Sequence, residues 1–512
     1  MDISIWIERW ADFAPEKTAI LFEDREITYR ALDADIRALA CALKNELGVK
    51  RGDRVAHLGF NSPEMATLLF ACARLGAILV PLNWRLATPE HAYILRNAGA
   101  DVLVADWSFH AQAESLADDI ETLRLVCIDP VEPQDGWRDM AHLMANARGS
   151  DRNAGANIMD RLLIVYTSGT TGRPKGAVLT QNALQWNAIN STIAHDLRSS
   201  DLILNTLPMF HVGGLNIQMT PALHAGATVA LHRKFDVDGT LRALARERPT
   251  LAVLVPAQMQ AVIRHPDWPQ TDISSLRVLT TGSGIVPVPL IEAWHARDIP
   301  VIQIYGSTET APIAIHHTGR NAMAKPGSAG KPAMHCEIRL VDEFGRDVGE
   351  SERGEILVRG PNVMIEYWND ADATAAALVD GWHFTGDIGY RDADGFYWVV
   401  DRKKDMIVSG GENVYPAEVE AVLYEHRDIA ECAVVGRAHE KWGETTVAVI
   451  VRRPGSALNE SQVMALFEGR LARYKHPREV IFADALPRNV MGKILKYEIR
   501  DQVARGELGG AD

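Results

Sequence analysis

The sequence predicts an α/β fold: a large N-terminal domain of largely parallel sheets with helices plus a small β unit, then a smaller α+β C-terminal domain on a hinge. Three observations predict it. Short apolar strands alternate with helical segments up to about Ala333, the pattern of parallel sheets with crossover helices. Beyond Ala333 the segments become short and alternating, separated by Gly/Asp turns, which suggests an antiparallel β unit. After the charged stretch Asp401–Asp405 a compact α+β pattern fills the rest. A chain of 512 residues exceeds one simple core, so two or more domains are expected. The boundary falls at about residue 402, giving domains 1–402 and 403–512.

The elements follow in order. Ala31–Leu47 repeats apolar residues at helical spacing. Arg54–Leu58 reads as a strand after the turn Arg51-Gly52-Asp53, Pro63–Leu75 as a helix and Ala77–Val80 as a buried strand. Strands recur at Val102–Val104, Leu162–Val165, Thr228–Leu231, Val278–Leu279 and Val301–Ile302. In the β unit they are Glu337–Val341, Gly354–Val358 and Phe396–Val400. The C-terminal pattern is helix Ala417–Tyr424, strands Ile429–Val435 and Thr446–Val451, helix Ser461–Leu471 and strand Val480–Phe482.

Composition excludes several function classes. The formal net charge of −14 argues against a general nucleic-acid binder, whose affinity rests on phosphate contacts. The five cysteines are odd in number, widely spaced and without C-x-x-C, so neither a disulfide framework nor a zinc site is expected. Met1–Arg9 lacks a basic start followed by an apolar run, and no stretch approaches the ~20 apolar residues that span a bilayer. A cytoplasmic location is expected.

The segment richest in chemistry is Tyr166-Thr167-Ser168-Gly169-Thr170-Thr171-Gly172-Arg173-Pro174-Lys175-Gly176, directly after the strand Leu162–Val165. Its glycines allow close backbone approach to a ligand, and its hydroxyls and Lys175 supply donors for a polyphosphate. It is not a Walker A loop, because Pro174 precedes Lys175 and Gly176 follows it.

On this loop the chain resembles the adenylate-forming superfamily, which includes acyl-CoA synthetases, aryl-CoA ligases, luciferases and the adenylation domains of peptide synthetases. Further motifs continue the resemblance in order over almost the whole chain. Leu207-Pro208-Met209-Phe210-His211-Val212-Gly213-Gly214 is similar to the element that lines and closes the acyl pocket. Thr281-Gly282-Ser283-Gly284 resembles the turn that touches adenine. Gln303-Ile304-Tyr305-Gly306-Ser307-Thr308-Glu309-Thr310 resembles the Tyr-Gly-x-Thr-Glu motif. The resemblance implies that Tyr305 stacks on adenine, Thr308 contacts the α-phosphate and Glu309 helps hold Mg²⁺; that ion favours one or two carboxylates plus phosphate oxygens. It also implies that Asp387, in Gly381–Gly389, holds the ribose hydroxyls, that Arg402 contacts ribose, and that Lys404 is the hinge. Gly410 and Gly411 would line the CoA channel. In Pro487–Lys496 the adenylation lysine would be Lys493, with Lys496 on a solvated face.

The implied enzyme is an ATP-dependent carboxylic acid–CoA ligase using ATP, Mg²⁺ and coenzyme A. Acid and ATP give acyl-AMP and pyrophosphate; acyl-AMP and CoA then give acyl-CoA and AMP. Both the attacking carboxylate and the α-phosphate are anionic, so positioned cations must offset their repulsion. His211 stands where amino-acid-adenylating relatives carry Asp, which argues against an amino acid. Segments 207–217 and 303–313 contain no Arg or Lys, which argues against a dicarboxylate. Gly213 and Gly214 leave room in the pocket wall, and Ile217, Ser307 and Ala311 complete it. The expected acid is a medium- or long-chain fatty acid. The alternatives are an aryl or arylpropenoic acid of the 4-coumarate or ferulate type, and a non-catalytic nucleotide-binding protein on the same fold. A homodimer is the working expectation for assembly.

Overall fold

The computed structural model describes residues 1–129, 135–167, 174–284, 286–409, 412–439, 442–468, 470–471, 473–488 and 494–508. It contains four sheets. In one of nine strands, Val301–Tyr305, Val278–Thr281, Leu251–Val253, Leu202–Asn205, Thr228–Leu231 and Thr18–Phe22 run parallel in that spatial order. In one of eight strands, Arg161–Thr167, Ile78–Leu82, Arg54–Leu58, Val102–Ala105, Arg124–Cys127 and Trp137–Asp139 do the same. Ile78–Leu82 and Val102–Ala105 are buried at every position, as strands covered on both faces must be.

Local chemistry explains the element ends. Helix Pro63–Leu75 starts where Ser62 Oγ accepts from the Met65 N–H at 3.2 Å, with Pro63 in its first turn. It ends at Gly76, whose φ of +65° is a left-handed cap. Apart from Glu64 the whole helix is buried, so its apolar residues run all round the axis. Helix Glu460–Ala465 is shorter than the expected Ser461–Leu471. Beyond it the hydrogen bonds tighten to the third preceding residue, as in Phe467 N–H to Met464 O at 3.3 Å, and Phe467 enters the core.

The β unit is antiparallel: Glu337–Val341, Gly354–Arg359, Trp382–Arg391 and Tyr397–Arg402 form a mixed-length sheet with Leu378–Val379. After the turn Lys403–Asp405 the chain enters a fourth sheet, of Ile407–Ser409, Glu412–Val414, Ile429–His439, Gly443–Arg452 and Glu479–Phe482. That sheet has its own apolar core, including Val419, Leu423, Val434, Ile450 and Phe467. The overall architecture is therefore the large, largely parallel α/β part and smaller C-terminal part that the sequence predicts. All five cysteines are buried and free. Among the described residues no helix is long and apolar enough to cross a membrane.

Candidate active site

The strands Leu202–Asn205, Val278–Thr281 and Val301–Tyr305 run the same way, so their carboxyl ends share one edge of the sheet. That edge is where open α/β sheets bind ligands. The loops leaving it carry His211, Gly282–Gly284 and Gly306–Glu309.

Tyr305, the last residue of its strand, donates its hydroxyl to Asp387 Oδ2 at 2.8 Å. Asp387 and Arg402 are cross-strand partners in the β unit, and Arg402 Nε lies 2.6 Å from Asp387 Oδ1. Burial and the neighbouring Asp387 hold the Tyr305 hydroxyl well above its ordinary pKa, so it stays a donor. Asp387 lies within the strand Trp382–Arg391, where Gly386 takes φ +70°.

Glu309 lies in the short 3₁₀ turn Thr308–Thr310, capped by Ser307, with Thr308 buried. Its Oε1 accepts from the Tyr367 hydroxyl at 2.8 Å. Burial works against ionisation of Glu309; the neighbouring His383 and hydrogen bonds from Ser307 and Tyr367 work for it, and its carboxyl ends below the ordinary glutamate value. Among the described residues no Lys or Arg pairs with this carboxylate, and no group of three or more His, Cys, Asp or Glu could hold a metal. A half-buried, ionised carboxylate of this kind fits a hard divalent cation whose other ligands are phosphate oxygens and water.

His211 caps the helix Val212–Asn216, its Nδ1 accepting from the Gly213 N–H at 3.0 Å. Loss of hydration pushes this imidazole down to about 4, so it is neutral near pH 7. A Cβ at Gly213 would lie 3.2 Å from His211 Nδ1 and 3.9 Å from Ser283 Oγ, so both groups stand close to this glycine. Ser283 adopts φ +69°, Gly284 faces open space, and a Cβ on Gly282 would come 3.0 Å from Ile304 O.

Several expected residues have other duties. Gly214 does not leave room: a Cβ there would lie 2.2 Å from Pro208 O, so the glycine serves close backbone packing. Gly306 is required likewise, with Pro312 O at 1.7 Å from a Cβ. Gln303 Nε2 is committed to Ser328 O at 2.6 Å. Ile217 and Ala311 are fully enclosed, and Ile217 O accepts from Ser191 Oγ at 2.6 Å. Lys496 is not on a solvated face: its Nζ is 2.9 Å from Glu420 Oε1 and 4.0 Å from Asp401 Oδ2. Its four-carbon stem is enclosed and the ammonium is paired, which a solvated lysine would not need.

Thr167 and Lys175 end the strands flanking the phosphate-loop segment, with Thr167 Oγ1 donating to Lys175 O at 3.5 Å. Ser168, Gly169, Thr170, Thr171 and Gly172 lie outside the described residues, as do Gly410, Gly411 and Lys493. Lys404 is exposed in the turn Lys403–Asp405. A cleft of about 230 Å³ beside Lys175 is lined by Tyr93, Asn97, Pro174, Trp368, Asn369 and Asp370. A larger one, about 550 Å³, opens between Arg51, Met159 and Trp368 at the amino ends of their strands and takes no part in this cluster. Tyr367 and His383 join the site without having been expected there. His383 stands four residues before Asp387, which could have flagged it; Tyr367 carried no local signal.

Residues 7–368 match the family described as AMP-binding enzyme, and residues 418–493 match the AMP-binding enzyme C-terminal domain. The chain is 53% identical over 506 residues to an indoleacetate–CoA ligase of Aromatoleum aromaticum, covering 99% of both chains. It is 41% identical to a feruloyl-CoA synthase of an Amycolatopsis species, covering 97% of this chain and 98% of the other. Among solved structures, the o-succinylbenzoate coenzyme A synthetase of Bacillus subtilis in complex with ATP and magnesium ion matches with a TM-score of 0.85 and 33% identity, covering 97% of this chain and 99% of the other.

Proposed function

The chain belongs to the AMP-binding enzyme family and is an acid–CoA ligase, and from that premise we propose that its acid is an aryl acid. An arylacetic acid such as indoleacetate is the first candidate and an arylpropenoic acid the second. The full-length likeness to an indoleacetate–CoA ligase carries this reading. It favours the aryl alternative over the fatty acid expected from the sequence, as does the likeness to a feruloyl-CoA synthase. The absence of Arg and Lys from 207–217 and 303–313 supports an uncharged tail of either kind.

In this mechanism ATP lies along the strand ends. Asp387 and Arg402 orient the ribose, Tyr305 packs on adenine, and Thr167, Lys175 and residues 168–172 hold the phosphates. Gly282, Ser283 and Gly284 shape the nucleotide's bed, and Thr308 donates to the α-phosphate. Glu309, ionised and aimed by Tyr367, would hold Mg²⁺. When bound, that ion neutralises charge on the phosphate oxygens. His211, neutral in its pocket, closes on the acid without adding a second cation. Lys493 offsets the negative charge that develops as carboxylate meets α-phosphate. For the second half-reaction residues from about 403 onward rotate about Lys404 and bring Gly410 and Gly411 to the CoA channel.

The test is pyrophosphate release, with and without CoA, over arylacetates, arylpropenoates and saturated fatty acids. We expect the highest kcat/KM for an arylacetate and thioester only with CoA. A preference for a long-chain fatty acid would overturn the aryl reading; pyrophosphate release from none of the acids would overturn the ligase chemistry.

A further inference from the structure

The segment Met364–Trp368 ties together two parts of the site that are distant in the chain. Glu366 and Tyr367 pair antiparallel with Val178 and Ala177, on the strand Lys175–Thr180 that leaves the phosphate-loop segment. The Ile365 N–H donates to Val178 O at 3.1 Å and the Trp368 N–H to Gly176 O at 2.7 Å. On its other side the Met364 N–H donates to the backbone oxygen of Glu309 at 2.7 Å. The Tyr367 ring completes the bridge. Its hydroxyl reaches Glu309 Oε1 at 2.8 Å, and Lys175 Nζ lies 5.5 Å from the ring centroid. The Tyr367 backbone is itself held, its N–H donating to Thr374 Oγ1 at 2.9 Å.

We propose that Tyr367 is a positioning residue for the metal carboxylate, aiming Glu309 and coupling it to the strand that follows the phosphate loop. The inference rests on the reading of Glu309 as the magnesium carboxylate. A glutamate side chain rotates about its terminal torsion over a broad range. A hydrogen bond on Oε1 restricts that rotation and leaves Oε2 for the metal. The lysine over the ring face adds a weak attraction that registers the ring against the same strand. Because Glu309 and Lys175 share this one ring, metal and phosphate grips are set in a common frame. Losing such a partner of a metal ligand typically costs about 10–100-fold in metal affinity.

The test compares Tyr367→Phe, which keeps the ring and removes the hydroxyl, with Glu309→Gln and the unaltered protein. Binding of Mn²⁺ to the ATP-loaded protein is read from the paramagnetic resonance signal of free Mn²⁺. ATP affinity in EDTA and the melting temperature are measured alongside. We expect Tyr367→Phe to weaken Mn²⁺ binding about tenfold, with metal-free ATP affinity and melting temperature little changed. Glu309→Gln should weaken it at least as much. If Glu309→Gln weakens Mn²⁺ binding and Tyr367→Phe does not, the proposal fails while the role of Glu309 stands. If neither weakens it, the reading of Glu309 fails and takes the proposal with it. If Tyr367→Phe lowers melting temperature and metal-free ATP affinity as much as metal affinity, the tyrosine is packing only and the proposal is overturned.

Discussion

The nucleotide-facing cluster and the C-terminal part are held in place by different forces. Tyr305 and Glu309 stand on a strand end and a turn rooted in a large apolar core, Asp387 stands within a strand beside them, and the hydrogen bonds that join them to Asp387 and Tyr367 are part-buried. The C-terminal part keeps its apolar residues to its own core. Among the described residues it meets the rest through a small apolar cluster of Ile388, Val400 and Tyr415, and through polar contacts. Arg353 pairs with Glu418 and lies 4.4 Å from the Tyr415 ring centroid. Asp401 Oδ2 accepts from the Ala417 N–H at 2.9 Å and faces Lys496. Charges and a few apolar side chains can be re-paired in another orientation at small cost, whereas a shared core cannot. The contrast gives a physical basis for the proposed turning of the C-terminal part.

The sharpest way to break this contrast is Lys493→Ala. Adenylation should fall about 10²–10³-fold, while transfer from synthetic acyl-adenylate to CoA persists; equal loss in both half-reactions would contradict a cation that serves one orientation only. Next, Asp387→Ala leaves Tyr305 and Arg402 without their shared acceptor. ATP affinity, followed by calorimetric titration, should drop about 10–100-fold, the worth of hydrogen bonds to a charged group.

Acid probes the rigid part. Burial pushes the His57 imidazole down to about 4. Its folded value lies below the unfolded value of about 6.5, so the unfolded chain takes up the proton first. The stability it allows is complete above that unfolded value and is lost as pH falls toward 4. Urea unfolding should show a loss of about 1.4 kcal/mol per pH unit for each such histidine, and His57→Leu should flatten the slope by one. An unchanged slope would mean that His57 is not buried as a neutral ring. The smallest effect is expected at the junction. Arg353→Ala should cost only about 0.2–1 kcal/mol but speed proteolytic cleavage near Lys403–Met406; a large drop in melting temperature would show that the junction is rigid after all.

Much of this was legible along the chain. Arg54–Leu58, Pro63–Leu75, Thr228–Leu231 and Glu337–Val341 occupy the spans that apolar periodicity and turn residues assign them. Asp387, Tyr305 and Glu309 were singled out by the motifs that resemble the adenylate-forming superfamily, and the fold brings Tyr305 and Asp387 into hydrogen-bond contact. Lys496 was misplaced because its partners Glu420 and Asp401 are far away in the chain.

Local composition thus specified which strands and helices form, because periodicity and turn residues depend on positions a few residues apart, while the nucleotide-facing residues were marked by motifs that resemble the family. Tyr367 meets Glu309 across 58 positions and Tyr305 meets Asp387 across 82. Such pairings become visible once the strands pack, since burial sets both which polar groups must find partners and which partners lie within reach. The need for glycine at 214 and 306 is of the same kind, set by carbonyls that approach only in the folded chain.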